Sequence, residues 1–587
     1  KPSIYAPIGS HKDLLPYLVR RLLENGANSS FINRLLDPET DSAWLAENPY
    51  ERLKKETKDI PVPKKIFLDR ENSSGKDISE IENLEDLKSK IDNFSGLKVD
   101  AESIYAGRLD TNNTEEKAFS ISNKCEIGTI TLDDPIQIKK ALEKDTLDEW
   151  REIEVNERAK ILNLIADDLE NNPYELIYFL INEAGKTIQN AIDEIREAVD
   201  FLRYYSSRSI ELFNNTELNG PTGEDNQMSF TPKGTFLCIS PWNFPVAILI
   251  GQISAALSCG NRVIVKPSEY SSILGYLVVK KFHDHGVPIS ALSLILGDGL
   301  YGDFLTKISP LHGVAFTGSL PTAKKIQANI IDNQNQIIPL IAETGGINTM
   351  IVDSSALLEQ VTDDVVRSAF DSAGQRCSAL RVLCVQEEIY DDLKDMIIGN
   401  MQIQTVGDPN FFDTDIGPII NDKAYKKLTS YISLCSEKGY KIHQPNQKVS
   451  DMHIAPTLIE INSISNITEE QFGPILHILK YSSNEIDELI NQINRSEYGL
   501  TMGIHSRIEA RADYMSSRSN VGNIYINRDM VGAVVGSQPF GGIGLSGSGF
   551  KAGGPNYLLQ FVNEKVVSKN SVAFGGNTEL LNIQEDL

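Results

Sequence analysis

Three residues whose types could cooperate in covalent catalysis lie far apart in this 587-residue chain. Cys377 stands in the stretch FDSAGQRCS, beyond a glycine that breaks a segment of helical spacing. A thiolate is a strong nucleophile, but an ordinary thiol has a pKa of about 8.5 and needs a base or a favourable pocket. A lone cysteine in apolar surroundings is more often an inert core residue, so the role of Cys377 depends on its partners.

Glu343 and Asn243 are the candidate partners. Glu343 directly follows the apolar run Leu340 to Ala342, where desolvation could raise its pKa into the range of a general base. Asn243 lies in SPWNFP at the end of a predicted strand, the edge at which open α/β sheets bind ligands. Its amide could contact a ligand there, although most asparagines in such places only stabilise a turn.

Two further strand ends carry polar residues. Thr317-Gly318-Ser319 joins a predicted strand to a helix from Thr322, and such a turn points backbone N–H groups at a phosphate. Lys266-Pro267-Ser268-Glu269 follows another strand and, taken alone, is only a solvated strand end with a proline stop. Each of these signals is weak by itself.

The elements that must position these residues form an alternating pattern after Gly234. Continuous apolar β-type runs between helical segments such as Ile273 to His285 predict a parallel sheet covered on both faces. A second α/β series begins near Ile341, which predicts two α/β domains with a ligand-binding crevice between them. The strand candidates are Thr235 to Ile239, Arg262 to Lys266, Leu292 to Leu296, Val314 to Phe316, Met350 to Val352, Val382 to Val385 and Gly522 to Ile526.

The first third of the chain is predicted to be mainly helical. Leu14 to Phe31 has apolar residues at helical spacing, and the charged stretch from Asp37 to Asn113 predicts a linker with short helices. Asn156 to Glu170 and Glu175 to Tyr205 are two further helix-like segments. They lead into a polar excursion or hairpin from Asn214 to Gln227.

Composition narrows the class of protein. Hydrophobic residues make up 41% of the chain, and the formal net charge of -25 opposes nonspecific binding to nucleic acid or anionic lipid. The six cysteines are scattered, which favours a reducing, cytoplasmic location, and no apolar run reaches the roughly 20 residues of a transmembrane helix. We expect no metal. Because the chain starts at Lys1, we also expect it to be a fragment.

The motifs PWNFP, KPSE, FTGS, ETGG, GQRCS, EQFGP and PFGG occur in the order in which the aldehyde dehydrogenase superfamily has them. From about Ile127 onward the chain resembles that superfamily, which implies an α/β aldehyde dehydrogenase fold with a Rossmann-like NAD-binding domain, an α/β catalytic domain and a β-flap. The resemblance implies Cys377 as nucleophile, Glu343 as base and Asn243 in the oxyanion hole. It also implies an NAD site formed by Ile239, Ser240, Pro241, Trp242, Lys266, Ser268, Glu269, Thr317, Gly318, Ser319, Glu470 and Phe472.

A closer resemblance narrows the substrate. REAVDF from Arg196, GPTGE from Gly220 and the MVGAVVG loop from Met530 resemble proline utilization A, a bifunctional family of proline catabolism. The resemblance implies L-glutamate γ-semialdehyde as substrate, with its α-carboxylate held by the loop around Gly532 and Ala533 together with Ser378. The implied substrate residues are Ser378, Gly532, Ala533 and Phe540. Backbone N–H groups and a hydroxyl suit a carboxylate, although glycines near residue 532 could also form a simple turn.

Both ends of the chain add to this resemblance. The first residues resemble the end of a proline dehydrogenase barrel, whose proline site would include Tyr5, Arg20, Arg21 and Glu24. Arg20 and Glu24 could equally form a helix-surface ion pair, and most of a barrel is missing, so we expect a remnant and an upstream proline dehydrogenase region in the same polypeptide. Phe561 to Asn577 resembles the oligomerisation flap, with Asn214 to Thr231 as its partner, which predicts a homo-oligomer.

The resulting domain prediction has five parts. They are a barrel remnant at residues 1–37, a linker at 38–113, an NAD-binding domain at 114–340 with a hairpin at about 214–232, a catalytic domain at 341–535, and a return with the flap at 536–587. Three alternatives stay open: an aldehyde dehydrogenase of another specificity, including an acylating one, a catalytically silent binding protein, and an active proline dehydrogenase. Retention of Glu343 opposes acylation, and the intact set of Cys377, Glu343 and Asn243 opposes a silent protein.

Overall fold

The computed structural model describes residues 61–109, 113–144, 149–532 and 534–570, together with isolated positions before residue 61 and residue 573. The chain divides into two compact units, residues 1–66 and residues 67–587. The first unit contains a short 3-10 helix at Pro63–Lys65, and its residues 14 and 15 are helical. The predicted proline-site residues Tyr5, Arg20, Arg21 and Glu24 lie outside the described residues.

The second unit contains the strands, which are numbered along the chain. They are β1 (Val99–Glu102), β2 (Thr114–Phe119), β3 (Glu126–Leu132), β4 (Thr216–Leu218), β5 (Glu224–Pro232), β6 (Thr235–Ile239), β7 (Arg262–Lys266), β8 (Leu292–Leu294), β9 (Gly313–Thr317), β10 (Leu340–Glu343), β11 (Thr349–Val352), β12 (Val382–Gln386), β13 (Ile442–His443), β14 (Thr457–Glu460), β15 (Ile475–Tyr481), β16 (Tyr498–Gly499), β17 (Thr501–His505), β18 (Asn523–Ile526), β19 (Ile543–Gly544) and β20 (Val562–Asn570).

Helices of the second unit lie between these strands. They are α1 (Ile81–Asp92), α2 (Pro135–Lys144), α3 (Glu149–Glu152), α4 (Val155–Asn171), α5 (Tyr174–Asn182), α6 (Ile188–Leu212), α7 (Ala247–Ser258), α8 (Ser272–Asp284), α9 (Gly299–Leu305), α10 (Leu320–Asn333), α11 (Leu358–Phe370), α12 (Tyr390–Ile403), α13 (Asp422–Glu437), α14 (Ile486–Arg495) and α15 (Glu509–Arg518). No helix of the described residues is long and apolar enough to span a membrane.

The first sheet contains five parallel strands in the order β10-β9-β6-β7-β8. All five residues of β7 are buried, and α7 is buried over almost its whole length, as expected for a parallel sheet with helices on its faces. The strand ends that bear Asn243, Lys266 and Ser319 therefore meet at one edge, because the carboxyl ends of parallel strands share an edge.

The second sheet contains seven strands in the order β13-β14-β15-β12-β11-β17-β18 and is parallel except for the edge strand β13. The α/β prediction is thus confirmed. One element differs from the sequence analysis: the second series does not begin at Ile341, because β10 pairs with β9 of the first sheet. The chain enters the second sheet at Thr349, and the domain boundaries themselves stay a prediction.

The predicted linker is wrong for its second half, which belongs to the folded body. Leu87 and Ile91 on α1 are buried in the core of the first sheet, while the charged residues of α1 face outward. β1 pairs in parallel with β3. The charged residues of this segment lie on the exposed face of α1, and its few apolar residues lie on the buried face, so the overall composition did not indicate burial.

The predicted helix from Glu175 to Tyr205 is interrupted. α5 ends at Asn182, and α6 begins after Thr187, whose side chain accepts a hydrogen bond from the Asn190 N–H. Gly185 has φ +70, a left-handed conformation that ends a helix and that glycine adopts without strain.

The flap is a three-stranded antiparallel sheet in the order β20-β5-β4. β5 and β20 pair along nine residues, from Glu224 with Asn570 to Pro232 with Val562. The predicted pairing of the hairpin with the C-terminal stretch is therefore confirmed.

Candidate active site

A cavity of about 540 Å³ is lined by loops that follow or precede strands of both sheets. Its lining includes most of the predicted site residues. Those that line it are Pro241, Trp242, Asn243, Thr317, Gly318, Ser319, Glu343, Cys377, Ser378, Glu470, Phe472, Gly532 and Phe540. Ile239, Ser240, Lys266, Ser268 and Glu269 are not in this lining and lie at the carboxyl ends of β6 and β7. Ala533 lies outside the described residues.

Cys377 lies in a turn between α11 and β12, beyond the glycine that breaks the helix-like segment. The helix ends at Phe370 and a tight turn follows, with Ser372, Ala373 and Gly374 at φ 53, 54 and 63. Three successive left-handed residues cannot continue a right-handed helix, so the chain turns toward the cavity here.

Two side chains from elsewhere hold the Cys377 turn. Asn348 Nδ2 donates to the carbonyl oxygens of Cys377 at 2.6 Å and of Ala379 at 2.9 Å. Arg381 Nη1 donates to the Gly374 carbonyl at 2.8 Å, and its Nη2 donates to the Arg376 carbonyl at 3.0 Å. The backbone around the thiol is therefore fixed on both sides of residue 377.

The surroundings of Cys377 keep its thiol protonated. Burial is the main cause that raises the pKa of Cys377 to about 12, and the charges of the nearby Glu470 and Glu343 carboxylates act in the same direction. The Ser378 backbone N–H, which donates to the sulfur, acts in the opposite direction. A thiol in this environment needs a proton acceptor, or a change in the surrounding charges, before it becomes a nucleophile.

Glu343, the last residue of β10, is a buried carboxyl group that lines the same cavity. Burial raises the pKa of Glu343 to about 8, while a hydrogen bond from the Gly542 N–H at 3.0 Å and the charge of Lys551 act to lower it. Its pKa near 8 suits a group that takes a proton near neutral pH, as the sequence analysis expected of a base.

Asn243 reaches across to the Cys377 turn from the loop after β6. Its Nδ2 donates to the Gln375 carbonyl at 3.1 Å. Gln375 is itself held, since its Nε2 donates to the Pro418 carbonyl and its Oε1 accepts from the Ile420 N–H, both at 3.0 Å. One amide hydrogen of Asn243 thus orients the side chain, and an amide carries a second one for a ligand.

Glu470 and Phe472 precede β15 and face the first sheet. Glu470 Oε1 accepts from Arg381 Nη2 at 3.1 Å, so one guanidinium links Glu470 to the Cys377 turn. Phe472 contacts Trp242 edge to face, with ring centroids 5.7 Å apart. The aromatic contact connects the two sheets beside the cavity.

The strand ends of the first sheet provide groups for a nucleotide. Lys266 is buried, and its Nζ lies 3.8 Å from Glu269 Oε2. Ser319 is the residue before α10, so free backbone N–H groups of the first helical turn point past it. Among the described residues, Ser240 Oγ and Gln252 Oε1 are buried without a hydrogen-bond partner, as expected of groups that await a ligand.

The predicted substrate residues Ser378, Gly532 and Phe540 also line the cavity. Gly532 has φ +82, and its carbonyl accepts from the Tyr525 hydroxyl at 3.4 Å. The Ser378 carbonyl accepts from Thr501 Oγ1 at 3.3 Å. Phe540 forms a backbone bridge with Ala552, which also lines the cavity.

Glu197 is a cavity residue to which the sequence analysis gave no role. It lies on α6 with Phe201 and Tyr205, and all three line the cavity. Burial and the neighbouring Glu194 raise the pKa of Glu197 to about 7. The signal was present, since residues 197, 201 and 205 recur at the i, i+4 spacing of one helix face.

Comparison with known proteins shows which family has this arrangement. The model of the aldehyde dehydrogenase family matches residues 110–567, and that of proline dehydrogenase matches residues 1–34. The bifunctional protein PutA of Escherichia coli K12 is 41% identical over 97% of this chain and 44% of its own length. This chain therefore spans less than half the length of that relative.

Shorter relatives match over most of their own length. The 1-pyrroline-5-carboxylate dehydrogenase 1 of Halalkalibacterium halodurans is 32% identical over 76% of this chain and 87% of its own length. A crystallised variant of the 1-pyrroline-5-carboxylate dehydrogenase of Thermus thermophilus superposes with a TM-score of 0.80 at 28% identity, covering 85% of this chain and 98% of that one.

Proposed function

The chain belongs to the aldehyde dehydrogenase family, and from this premise we propose that it oxidises L-glutamate γ-semialdehyde to L-glutamate with NAD. The observation that carries the proposal is the convergence of Cys377, Glu343 and Asn243 on one cavity, together with Ser378 and Gly532. Glutamate semialdehyde is the open form of 1-pyrroline-5-carboxylate, which appears in the names of several relatives.

The first step is addition of Cys377 to the aldehyde carbon. The sulfur forms the new S–C bond, its proton passes to Glu343, and the carbonyl electron pair moves onto oxygen. The second amide hydrogen of Asn243 and the Cys377 backbone N–H would then donate to this oxyanion. Loss of one such donor typically costs about 3 kcal/mol of barrier.

The last step is hydrolysis of a Cys377 thioester. Glu343 takes a proton from water, the water oxygen bonds to the acyl carbon, and the C–S bond breaks to release glutamate and the thiolate. A base is needed here because water is a weaker nucleophile than the thiolate it displaces. Glu343 therefore serves twice, and it must lose its first proton before it can activate water.

Residues of both sheets fit NAD. Lys266 and Glu269 suit the hydroxyls of the adenosine ribose, the N-terminus of α10 beside Ser319 suits the pyrophosphate, and Glu470 suits the nicotinamide ribose. When bound, NAD supplies a hydride acceptor next to the carbon that Cys377 holds. The unpartnered Ser240 Oγ and Gln252 Oε1 support this fit. Ser240 directly follows β6, and Gln252 Nε2 donates to the Ile239 carbonyl and to Thr317 Oγ1 at the ends of β6 and β9.

The charged groups of the substrate have matching partners. The Ser378 hydroxyl and the backbone N–H groups near Gly532 suit the α-carboxylate, and Glu197, once ionised, suits the α-ammonium group. A site built for polar groups rejects analogues that leave its donors unpaired, by up to about 10⁴-fold. Pentanal, which has the same carbon chain without these groups, should therefore be a poor substrate.

The test compares NAD reduction with glutamate semialdehyde and with pentanal. Ser378→Ala should cost about 1.5 to 3 kcal/mol with the charged substrate and much less with pentanal. Cys377→Ala should abolish turnover while NAD still binds. Equal use of the two aldehydes by the unaltered protein would show another specificity, and turnover by Cys377→Ala would remove the nucleophile assignment.

Three wider assignments rest on the same comparisons. The match of residues 1–34 to proline dehydrogenase supports a proline dehydrogenase region in the same polypeptide. The paired flap strands support a homo-oligomer. All six cysteines are free of disulfides, which supports a reducing location such as the cytoplasm.

A further inference from the structure

We propose that Arg70 is a positioning residue for the loop that holds the substrate carboxylate. The name anchor loop is used for residues 530–532 and 534–536, the described part of this segment. The proposal rests on the proposed function, since it concerns the specificity of that same site. It also extends the site to a segment before residue 110, where the match to the aldehyde dehydrogenase family begins.

Arg70 contacts the C-terminal end of the anchor loop directly. Its Nη2 donates to the Val535 carbonyl at 2.9 Å, across 465 positions of sequence. The Arg70 side chain is only 6% exposed and lies over the Phe67 ring at 3.8 Å and the Tyr204 ring at 4.9 Å. A buried guanidinium in contact with two aromatic rings keeps few rotamers, so its hydrogen bond is well oriented.

Gly536 shows how closely the loop fits this guanidinium. Gly536 has φ +83, and a Cβ atom there would lie 2.6 Å from Arg70 Nη2. Its N–H donates to the Gly553 carbonyl at 2.8 Å. The left-handed conformation and the close approach both require glycine, so the backbone turns at the point where Arg70 meets it.

The other end of the anchor loop is fixed independently. The Met530 N–H donates to Ser368 Oγ at 2.9 Å, and the Val531 N–H donates to Asp529 Oδ1 at 2.9 Å. Gly532, which lines the cavity, lies between this end and the Arg70 contact. Releasing one end would let the Gly532 backbone shift, and displacements of about 1 Å at a binding group can cost large factors in rate.

The segment that bears Arg70 is itself fastened to α6. Ser73 donates to Asp200 through its N–H at 2.8 Å and its hydroxyl at 2.9 Å. Ser74 donates to Glu170 on α4 through its N–H at 2.8 Å and its hydroxyl at 3.0 Å. Hydrogen bonds thus link this segment to α6, to α4 and to the anchor loop.

The experiment measures kcat and KM for glutamate semialdehyde and for pentanal in Arg70→Ala and Arg70→Lys. We expect Arg70→Ala to raise KM for glutamate semialdehyde by about tenfold, with pentanal kinetics and the Kd for NAD within about twofold of the unaltered protein. Methylguanidinium should restore part of the loss. Arg70→Lys, which keeps the charge, should retain an intermediate preference even if Arg70→Ala folds poorly.

Ser74→Ala is the matched control, because it removes one hydroxyl from the same segment while the Ser74 N–H bond to Glu170, both Ser73 bonds to Asp200 and the Arg70 contact remain. It should leave the preference between the two aldehydes unchanged. Equal losses on both substrates, or unaltered kinetics in both Arg70 variants, would overturn the proposal. If the unaltered protein showed no preference for glutamate semialdehyde, the proposed function would fail first and Arg70 would have no carboxylate site to position.

Discussion

Glu343 and Cys377 illustrate how burial sets the chemistry of single residues. Desolvation disfavours both charged forms, and the two carboxylates near the sulfur add repulsion against the thiolate. The proton therefore stays on sulfur until an aldehyde carbon is close enough to bond. A resting thiol of this kind is protected from oxidation, which needs the thiolate.

The pH dependence of thioester hydrolysis follows from Glu343. Burial raises its pKa to about 8, so the carboxylate that accepts a proton from water forms only as the pH rises through about 8. We expect the steady-state rate to increase with pH across that midpoint. Glu343→Gln should lose this ascending limb and about 10²-fold or more in rate.

Stopped-flow measurement of NADH formation checks this prediction. The variant should show a burst followed by slow release if acylation survives, and loss of the burst would show that Glu343 acts mainly on Cys377. An unchanged ascending limb in Glu343→Gln would assign the titration to another group. Glu197 is then the first candidate, because its pKa of about 7 is close to that of Glu343.

Glu269 should set the choice between NAD and NADP. Its carboxylate can accept hydrogen bonds from ribose hydroxyls but repels a 2′-phosphate. Because the Glu269 side chain is 44% exposed, solvent screens this repulsion, and we expect Glu269→Gln to improve kcat/KM for NADP relative to NAD by about tenfold.

A remote carboxylate provides the control for that measurement. Glu437→Gln, at the end of α13, removes the same charge and should leave the cofactor ratio unchanged. If the ratio moved equally in both variants, net charge rather than the ribose contact would explain the preference.

At the level of elements, the turn between α11 and β12 depends on buried hydrogen-bond donors. Arg381 donates to the carbonyls of Gly374, Arg376 and Gly473 and to the Glu470 carboxylate. A short left-handed turn lacks the regular backbone hydrogen bonds of a helix or sheet, and the hydrogen bonds from Arg381 stabilise it instead. The same guanidinium thereby couples the Cys377 turn to Glu470 on the neighbouring segment.

Removal of this guanidinium should destabilise the protein strongly. Arg381 is 1% exposed, and Arg381→Met would leave the Glu470 carboxylate and three carbonyls without their donor, at a cost of about 3 to 5 kcal/mol. Urea unfolding gives the free energy change. The KM for NAD should rise as well, because Glu470 would lose its orientation.

Arg495→Met is the matched control for Arg381→Met. Arg495 is 69% exposed and pairs with Glu488 on the surface of α14, so its loss should cost about 0 to 1 kcal/mol. Similar costs in the two variants would show that burial of Arg381 contributes nothing beyond a surface ion pair.

At the scale of the whole molecule, the flap formed by β4, β5 and β20 is exposed to solvent in a single chain. All nine residues of β20 except Val562 are exposed, and Val566 is 52% exposed. A three-stranded antiparallel sheet with exposed valines needs another surface to cover it. A second copy of the chain is the cover that the proposed homo-oligomer provides.

Val566→Asp should weaken that assembly. A carboxylate at the covered apolar position would be desolvated without a partner, so we expect a lower mass by light scattering at equal concentration. Asn563→Asp, which adds the same charge on the opposite face of the same strand, should have a smaller effect. An unchanged mass for Val566→Asp would place the interface elsewhere.

The sequence by itself determined several of the strands and indicated the candidate chemistry. Thr235 to Ile239 and Arg262 to Lys266 have the predicted bounds, because continuous apolar runs between turn residues report burial locally. Cys377, Glu343 and Asn243 were recognised by residue type and order. Their roles, like the domain boundaries, stay predictions that the experiments above test.

Only the tertiary structure decided what meets across long stretches of chain. It assigned Leu340–Glu343 to the first sheet, included Val99–Glu102 in the folded body, and placed Glu197 in the cavity. It also joined Arg70 to Val535 and Arg381 to Glu470. Periodicity reports which face of an element is buried, but a contact between distant residues depends on the packing of all the elements between them, and no local pattern records it.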